Sequence, residues 1–180
     1  GTLRTATYSA GVWRKVVLDG MGGSAGRTKN RLGGHLSMCT AGSGARQILH
    51  LFYGDTVGKD LRHATLSVNG NSFEVVDGNA QSIQPYDQPN RTRTGSEVSY
   101  SSACVATTTN VQVFYRDESQ GVLLGAVKRT TSTGKWSYEL IDGDRKTDGR
   151  TTGDVAFHLD ALLSGGVTYL IYDSILVINQ

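Results

Sequence analysis

Only two prolines, two cysteines and two methionines occur in 180 residues, and neither charge sign dominates, with 18 Lys and Arg against 16 Asp and Glu. Each scarcity excludes something. Cys39 and Cys104 are too few for a disulfide scaffold and show no metal-binding spacing; a single pair and two free thiols both fit. A net charge of +2 is not the basic balance that announces a nucleic-acid partner. No apolar run approaches the roughly 18–20 residues of a membrane helix. The opening "GTLRTATYSAG" lacks the charged start and apolar stretch of a secretion signal, so Gly1 is expected to follow a processing site or a cloning junction. Hydrophobic content, at 38%, is below the usual range.

Glycine is abundant, at 23 residues. Many glycines with few prolines suit an all-β chain with many tight turns. The length fits one domain, 1–180, with a sizeable core. The turn signals recur in order. Asp-Gly closes a strand-like stretch at Asp19-Gly20, Asp77-Gly78 and Asp142-Gly143. An Arg-Thr step follows at Arg27-Thr28, Arg91-Thr92 and Arg150-Thr151. An aromatic-rich strand then ends at Tyr53, Tyr115 and Tyr172. The period is about 60 residues, and three copies (1–59, 60–121 and 122–180) span the chain.

Each copy holds four strand-like pieces. "LRHATLSV" and "NSFEVVDG" alternate in polarity, and the second stops at a turn signal. "QILHLFY", "NVQVFY" and "VTYLIY" are the most apolar, as buried strands should be. "AFHLDALL" (156–163) has a helix-compatible pattern but sits in a strand slot, and is read as strand. Four short antiparallel strands per repeat of this length describe a β-propeller blade. Lettered A to D from centre to rim, the chain reads C-D, A-B-C-D, A-B-C-D, A-B. The expected fold is all-β: a β-propeller of three four-stranded blades per chain with a split terminal blade, since an unpaired half-blade exposes strand edges.

The hairpin "FYGDTVGKDLRHA" (52–64), its looser copy "FYRDESQGVLLGA" (114–126), and "GRT" at 26–28 and 149–151, with "NRT" at 90–92, carry a resemblance. The chain resembles a bacterial β-propeller repeat family of large secreted or surface proteins. That resemblance implies the fold and an extracellular or cell-surface location, and it brings no catalytic motif. After Tyr172-Asp173 the chain departs from the pattern with "SILVINQ", which is expected to be a terminal strand seeking an edge.

Three blades fall short of the four to eight that closed propellers typically have. The ring is therefore expected to be completed by a second copy, giving six blades with two-fold symmetry, or by a companion chain.

The D-to-A loops (roughly 20–34, 78–96 and 143–153) are long, and long irregular loops are often functional. They hold Arg27, Lys29, Arg31, Arg91, Arg93, Arg145, Lys146 and Arg150, with Asp55, Asp117 and Asp173 on the same expected face. Forked Arg donors suit carboxylate or sulfate groups, so a glycan or cell-surface polymer is the expected partner. The recurring Arg and Asp residues read first as clamps and turn formers. The non-repeated Tyr86, Asp87, Arg93 and Lys146 point more to a ligand, with Arg31, Arg91 and Arg150 beside them. Trp13 and Trp136 occupy matching positions, with Phe73 as the third; such rings stack on sugars, though packing between blades is the commoner use. His35, His50, His63 and His158 lack metal spacing, and His50 reads as a strand residue facing its neighbours. The stretch 142–154 fails the calcium-loop pattern, so no cofactor is expected, with an irregular calcium site as the exception. Asn90-Arg91-Thr92 is a formal glycosylation sequon.

"TSTGKW" (131–136) faintly resembles the sialidase hairpin box but lacks its Asp. No glutamate sits in the distinctive context that paired-carboxylate glycoside hydrolysis needs, and no nucleophile elbow or zinc-protease motif is present. The expected function is therefore a non-catalytic binding module, lectin-like or adhesive. The alternatives are a structural segment of a larger surface protein or appendage, and a divergent propeller glycosidase.

Overall fold

The computed structural model describes residues 1–80, 92–130, 134–143 and 149–175. Among these the alternating, turn-bounded stretches form twelve strands. They are β1 (Leu3–Ser9), β2 (Val12–Asp19), β3 (Leu32–Ala41), β4 (Ile48–Asp55), β5 (Asp60–Ser67) and β6 (Gly70–Asp77). The remainder are β7 (Ser102–Ala106), β8 (Asn110–Asp117), β9 (Val122–Arg129), β10 (Ser137–Asp142), β11 (Asp154–Ser164) and β12 (Val167–Ile175). "AFHLDALL" lies inside β11, and Gly44–Arg46 forms a single 3-10 turn. Residues 176–180 of "SILVINQ" lie outside the described residues.

The fold is all-β. Pairing divides the strands in chain order into four antiparallel sheets: β1-β2, β3-β4-β5-β6, β7-β8-β9-β10 and β11-β12. Each connection inside a sheet is a hairpin between neighbouring strands, which antiparallel pairing permits with few residues. Gly165 and Gly166, at φ +57° and +80°, make the two-residue turn joining Ser164 to its partner Val167. Positive φ at both turn positions matches the right-handed twist of the flanking strands.

The sheets stack face to face in chain order, with an apolar layer in each gap. Leu3, Leu18, Leu32, Tyr53, Ala64 and Phe73 fill the first gap. Phe52, Val76, Val98, Val111, Val113, Tyr115 and Leu124 are in the second. Val105, Phe114, Leu123, Val155 and Ala156 are in the third, with Leu159, Ala161, Leu170 and Tyr172 half-buried against them. Alternation along a strand sends neighbours to opposite gaps. Tyr53 points back to the first sheet while Phe52 points forward to the third. That is why β4 and β8 are apolar on both faces.

The first strands of the two full sheets are joined covalently. Cys39 on β3 and Cys104 on β7 form a disulfide, with Cα atoms 5.8 Å apart. The Ser37 and Ser102 hydroxyls hydrogen-bond beside it at 2.9 Å. The two cysteines are therefore a pair across adjacent sheets.

The aromatic correspondence needs correcting. Trp13 and Trp136 each stand six residues before their Asp-Gly, whereas Phe73 stands four before. Phe73 lies opposite Ala64 and Tyr138 opposite Ala126, so the counterpart of Phe73 is Tyr138. Trp136 itself lies just ahead of β10.

Candidate functional site

The recurring landmarks meet in space as three clasps between sheets. Asp19 Oδ1 accepts the backbone N–H of Gly20 at 2.8 Å and of Thr28 at 2.7 Å, and Oδ2 accepts the Tyr53 hydroxyl at 2.7 Å. Asp77 takes Gly78 at 2.8 Å, Thr94 at 2.7 Å and the Tyr115 hydroxyl at 2.6 Å in the same way. Asp142 takes Gly143, Thr151 and, at 2.9 Å, the Tyr172 hydroxyl. Gly20, Gly78 and Gly143 have φ near +95°, +84° and +98°, which turns each N–H back onto the carboxylate. Burying a carboxylate is costly unless it is hydrogen-bonded, and each Asp has at least three donor contacts. Burial and the Asp19 hydrogen bond hold the Tyr53 phenol well above its ordinary value, so it remains a donor.

The clasp also corrects the second Arg-Thr step. Thr94, buried, fills the slot of Thr28 and Thr151, while Thr92 is exposed. The matching step in that copy is Arg93-Thr94, not Arg91-Thr92. Asp55 and Asp117 are buried as well. Asp55 Oδ1 accepts Val57 and Gly58 N–H at 3.0 and 2.9 Å, and Asp117 Oδ1 accepts Gln120 N–H at 3.1 Å. They are turn formers rather than part of an open polar face.

One gap carries chemistry that the others lack. On the face of the second sheet toward the third, His50, His63 and Glu74 lie in a row across β4, β5 and β6. His50 Nδ1 is 2.9 Å from His63 Nε2, and His63 Nδ1 is 2.9 Å from Glu74 Oε1. Lys128 Nζ on β9 closes the row, donating to both Glu74 oxygens at 2.9 and 2.8 Å. A carboxylate accepts only, so neutral His63 donates from Nδ1 and accepts from His50 at Nε2. This leaves His50 Nε2 as a buried acceptor with no partner among the described residues. Burial, with His63 adding to it, lowers His50 to about 4, and burial lowers His63 too. Burial alone would raise Glu74, but hydrogen bonds from His63 and Lys128 outweigh it and hold the carboxyl below its ordinary value. A carboxylate–imidazole–imidazole row is the layout of a proton acceptor. Its outer atom, His50 Nε2, is buried, and the link from Glu74 to Lys128 ties the second sheet to the third.

The same gap opens into a groove of about 890 Å³ lined by Arg93, Lys128, Lys135, Trp136, Tyr138 and Glu74, among others. A second hollow, of about 350 Å³, shares Glu74 and Lys128 and reaches His50 and His63. Trp136 is wedged edge-on against His63 at 5.4 Å and Phe52 at 6.0 Å between ring centres, with Lys128 Nζ 5.8 Å from its own ring centre. Glu74 is neutralised by Lys128, so among the described residues lining the groove the exposed charge is that of Arg93 and Lys135.

Of the residues singled out from sequence, Arg93 and Trp136 are brought together in this groove, 43 positions apart in the chain. Arg31 and Trp13 do not line it. Arg31 is exposed, and its carbonyl accepts the Thr56 hydroxyl at 2.8 Å. Trp13, 61% exposed, packs on Tyr8 at 5.2 Å. Arg150 is half-buried beside clasp residue Thr151. Tyr86, Asp87, Arg91 and Lys146 lie outside the described residues. Lys128, Lys135 and the His-Glu row were missed. Their signal was available in the hairpin register, which sets His63 directly opposite Glu74. Among the described residues no group of three or more His, Cys, Asp or Glu is placed to hold a metal. No helix there is long and apolar enough to cross a membrane. No protein-family model matches the chain, and no curated protein or solved structure is significantly similar to it.

Proposed function

We propose that the chain is a three-blade portion of a β-propeller, extracellular or at the cell surface, acting as a non-catalytic, lectin-like binding module for an acidic glycan or cell-surface polymer. The sheet order of two, four, four and two strands supports the propeller reading. The disulfide supports export, because such bonds persist in oxidising compartments. The observation that carries the binding reading is the joining of Arg93 and Trp136 in one groove with Lys128 and Lys135. An indole wall with forked and ammonium donors suits a ring-shaped ligand bearing carboxylate or sulfate. The test is titration of the purified chain with acidic and neutral oligosaccharides. Arg93→Glu with Lys135→Glu is expected to weaken acidic-sugar binding about a hundredfold or more, each of the two lost charge-assisted contacts contributing about 1.5–3 kcal/mol. Trp13→Ala is expected to leave it unchanged. Equal binding by the charge-reversed variant would contradict the proposal. A second reading, an assembly segment of a larger surface structure, is favoured by the two-stranded sheets β1-β2 and β11-β12, whose strands β1 and β12 have no second neighbour among the described residues.

A further inference from the structure

Two of the four sheets are halves of the other two. Leu3 pairs with Asp19 and Arg4 with Val17, as Leu61 pairs with Asp77 and Arg62 with Val75, so β1 is the counterpart of β5. Tyr172 bonds Asp142 as Tyr53 bonds Asp19, so β12 is the counterpart of β4. β4 and β5 pair in the second sheet, and β8 and β9 in the third. Among the described residues β1 has only β2 beside it and β12 only β11. Each end thus lacks the strand that the other end offers.

The faces complement each other as the edges do. Leu162, Tyr169 and Ile171 lie on the face of β11-β12 turned away from the third sheet, and they are 64%, 55% and 77% exposed. Leu36 and Met38 lie on β3, at the face of the second sheet toward the short first sheet, and they are 63% and 67% exposed. In the second gap the residues corresponding to Ile171 and Met38, namely Phe52 and Cys104, are buried in one cluster. The two bare apolar surfaces are the two sides of one missing gap.

We propose that a second copy of this chain supplies the missing halves. β12 of each copy pairs antiparallel with β1 of the other, and the bare face of β11-β12 covers Leu36 and Met38 of that copy. The register follows from the second sheet, where Tyr53 faces Arg62 and Phe52 faces His63. Tyr172 of one copy then faces Arg4 of the other, and Ile171 faces Thr5. Two such junctions related by a two-fold axis close six four-stranded sheets into a ring in which β1 and β12 are no longer edge strands. Trp13 is then covered as Trp136 is. The inference rests on the propeller reading and is independent of the glycan reading.

The test uses the full chain. Light scattering of the unmodified protein should give twice the 19.3 kDa chain mass. The double variant Thr5→Cys, Ile171→Cys should form an interchain disulfide on mild oxidation, with neither single variant doing so in that register. Ile171→Asp, at an exposed site, should keep the circular-dichroism spectrum and weaken the dimer about a hundredfold by burying a lone charge at the junction. A single-copy mass, an intrachain link between the new cysteines, or a ladder of multiples would overturn the proposal. The groove lies within one chain, so a monomer that still binds sugar refutes this inference alone. A dimer that binds none refutes the glycan reading alone.

Discussion

Phe52, Phe114 and Ile171 each stand one residue before a clasp tyrosine, on the second strand of successive sheets, yet they are 0%, 6% and 77% exposed. Local sequence made the same element three times; what differs is whether another sheet follows. The same holds for the tryptophans. Trp136 is wedged against His63 and Phe52 of the preceding sheet, while Trp13, on the first described sheet, packs on Tyr8. If a second copy completes the sheets as proposed, exposure at these positions reports assembly rather than ligand binding, and the apolar residues on β3 and β12 become core. The gap between the two full sheets is complete by this measure, and among the described residues it alone carries the His-Glu-Lys row and the basic groove.

The sharpest way to break the comparison is to truncate the matching position to alanine in both environments. Phe52→Ala should lose about 3–5 kcal/mol of stability in urea unfolding, as filled core positions do. Ile171→Ala, measured dilute enough to be a single copy, should stay within about 0.5 kcal/mol. Next in size is the disulfide, which closes a separation of 65 residues. Reducing it, or making Cys39→Ser with Cys104→Ser, should cost about 2–4 kcal/mol, seen as a lower melting temperature with reductant. The clasps come third. Tyr115→Phe removes a donor from fully buried Asp77 and should cost about 1–3 kcal/mol. Tyr172→Phe should cost less, because Asp142 Oδ2 keeps the Thr151 hydroxyl at 2.7 Å.

The smallest effect is the pH response. An unfolded His50 takes up a proton near 6.5, and the fold refuses it down to about 4. Its contribution is therefore full above 6.5 and is lost as pH falls through that window. Asp60 acts in the opposite sense. Burial first, and Asp55 next, raise it from 3.8 to about 6, so its contribution is full below 3.8 and is lost as pH rises to about 6. Between pH 4 and 6 the two slopes oppose each other. Asp60→Asn should steepen the loss of stability on acidification by up to about 1.4 kcal/mol per pH unit. His50→Gln, which copies Gln112 at the matching place in the third sheet, should flatten it. Urea unfolding at several pH values reads both.

The strands and their grouping into sheets were legible because they depend on local chemistry: alternation, Asp-Gly turns and a long repeat. What the sequence hid depends on adjacency between sheets. "NRTRTG" contains two Arg-Thr steps, and only the burial of Thr94 against Asp77 shows which one is in the clasp. Pairing of Cys39 with Cys104 needs β3 beside β7, and the meeting of Arg93 with Trp136 needs the second sheet against the third. The His-Glu row was half legible, since hairpin register places Glu74 opposite His63, but Lys128 comes from another sheet. Trp13 reads in sequence as either a packing or a sugar-stacking residue, because an exposed indole and a core indole look alike there.

The most direct measurement is amide hydrogen exchange at rising protein concentration. Completion across copies predicts that edge amides of β1 and β12 gain protection as concentration rises, while those of β4 and β8 stay protected throughout. Edge amides that exchange freely at every concentration would contradict it.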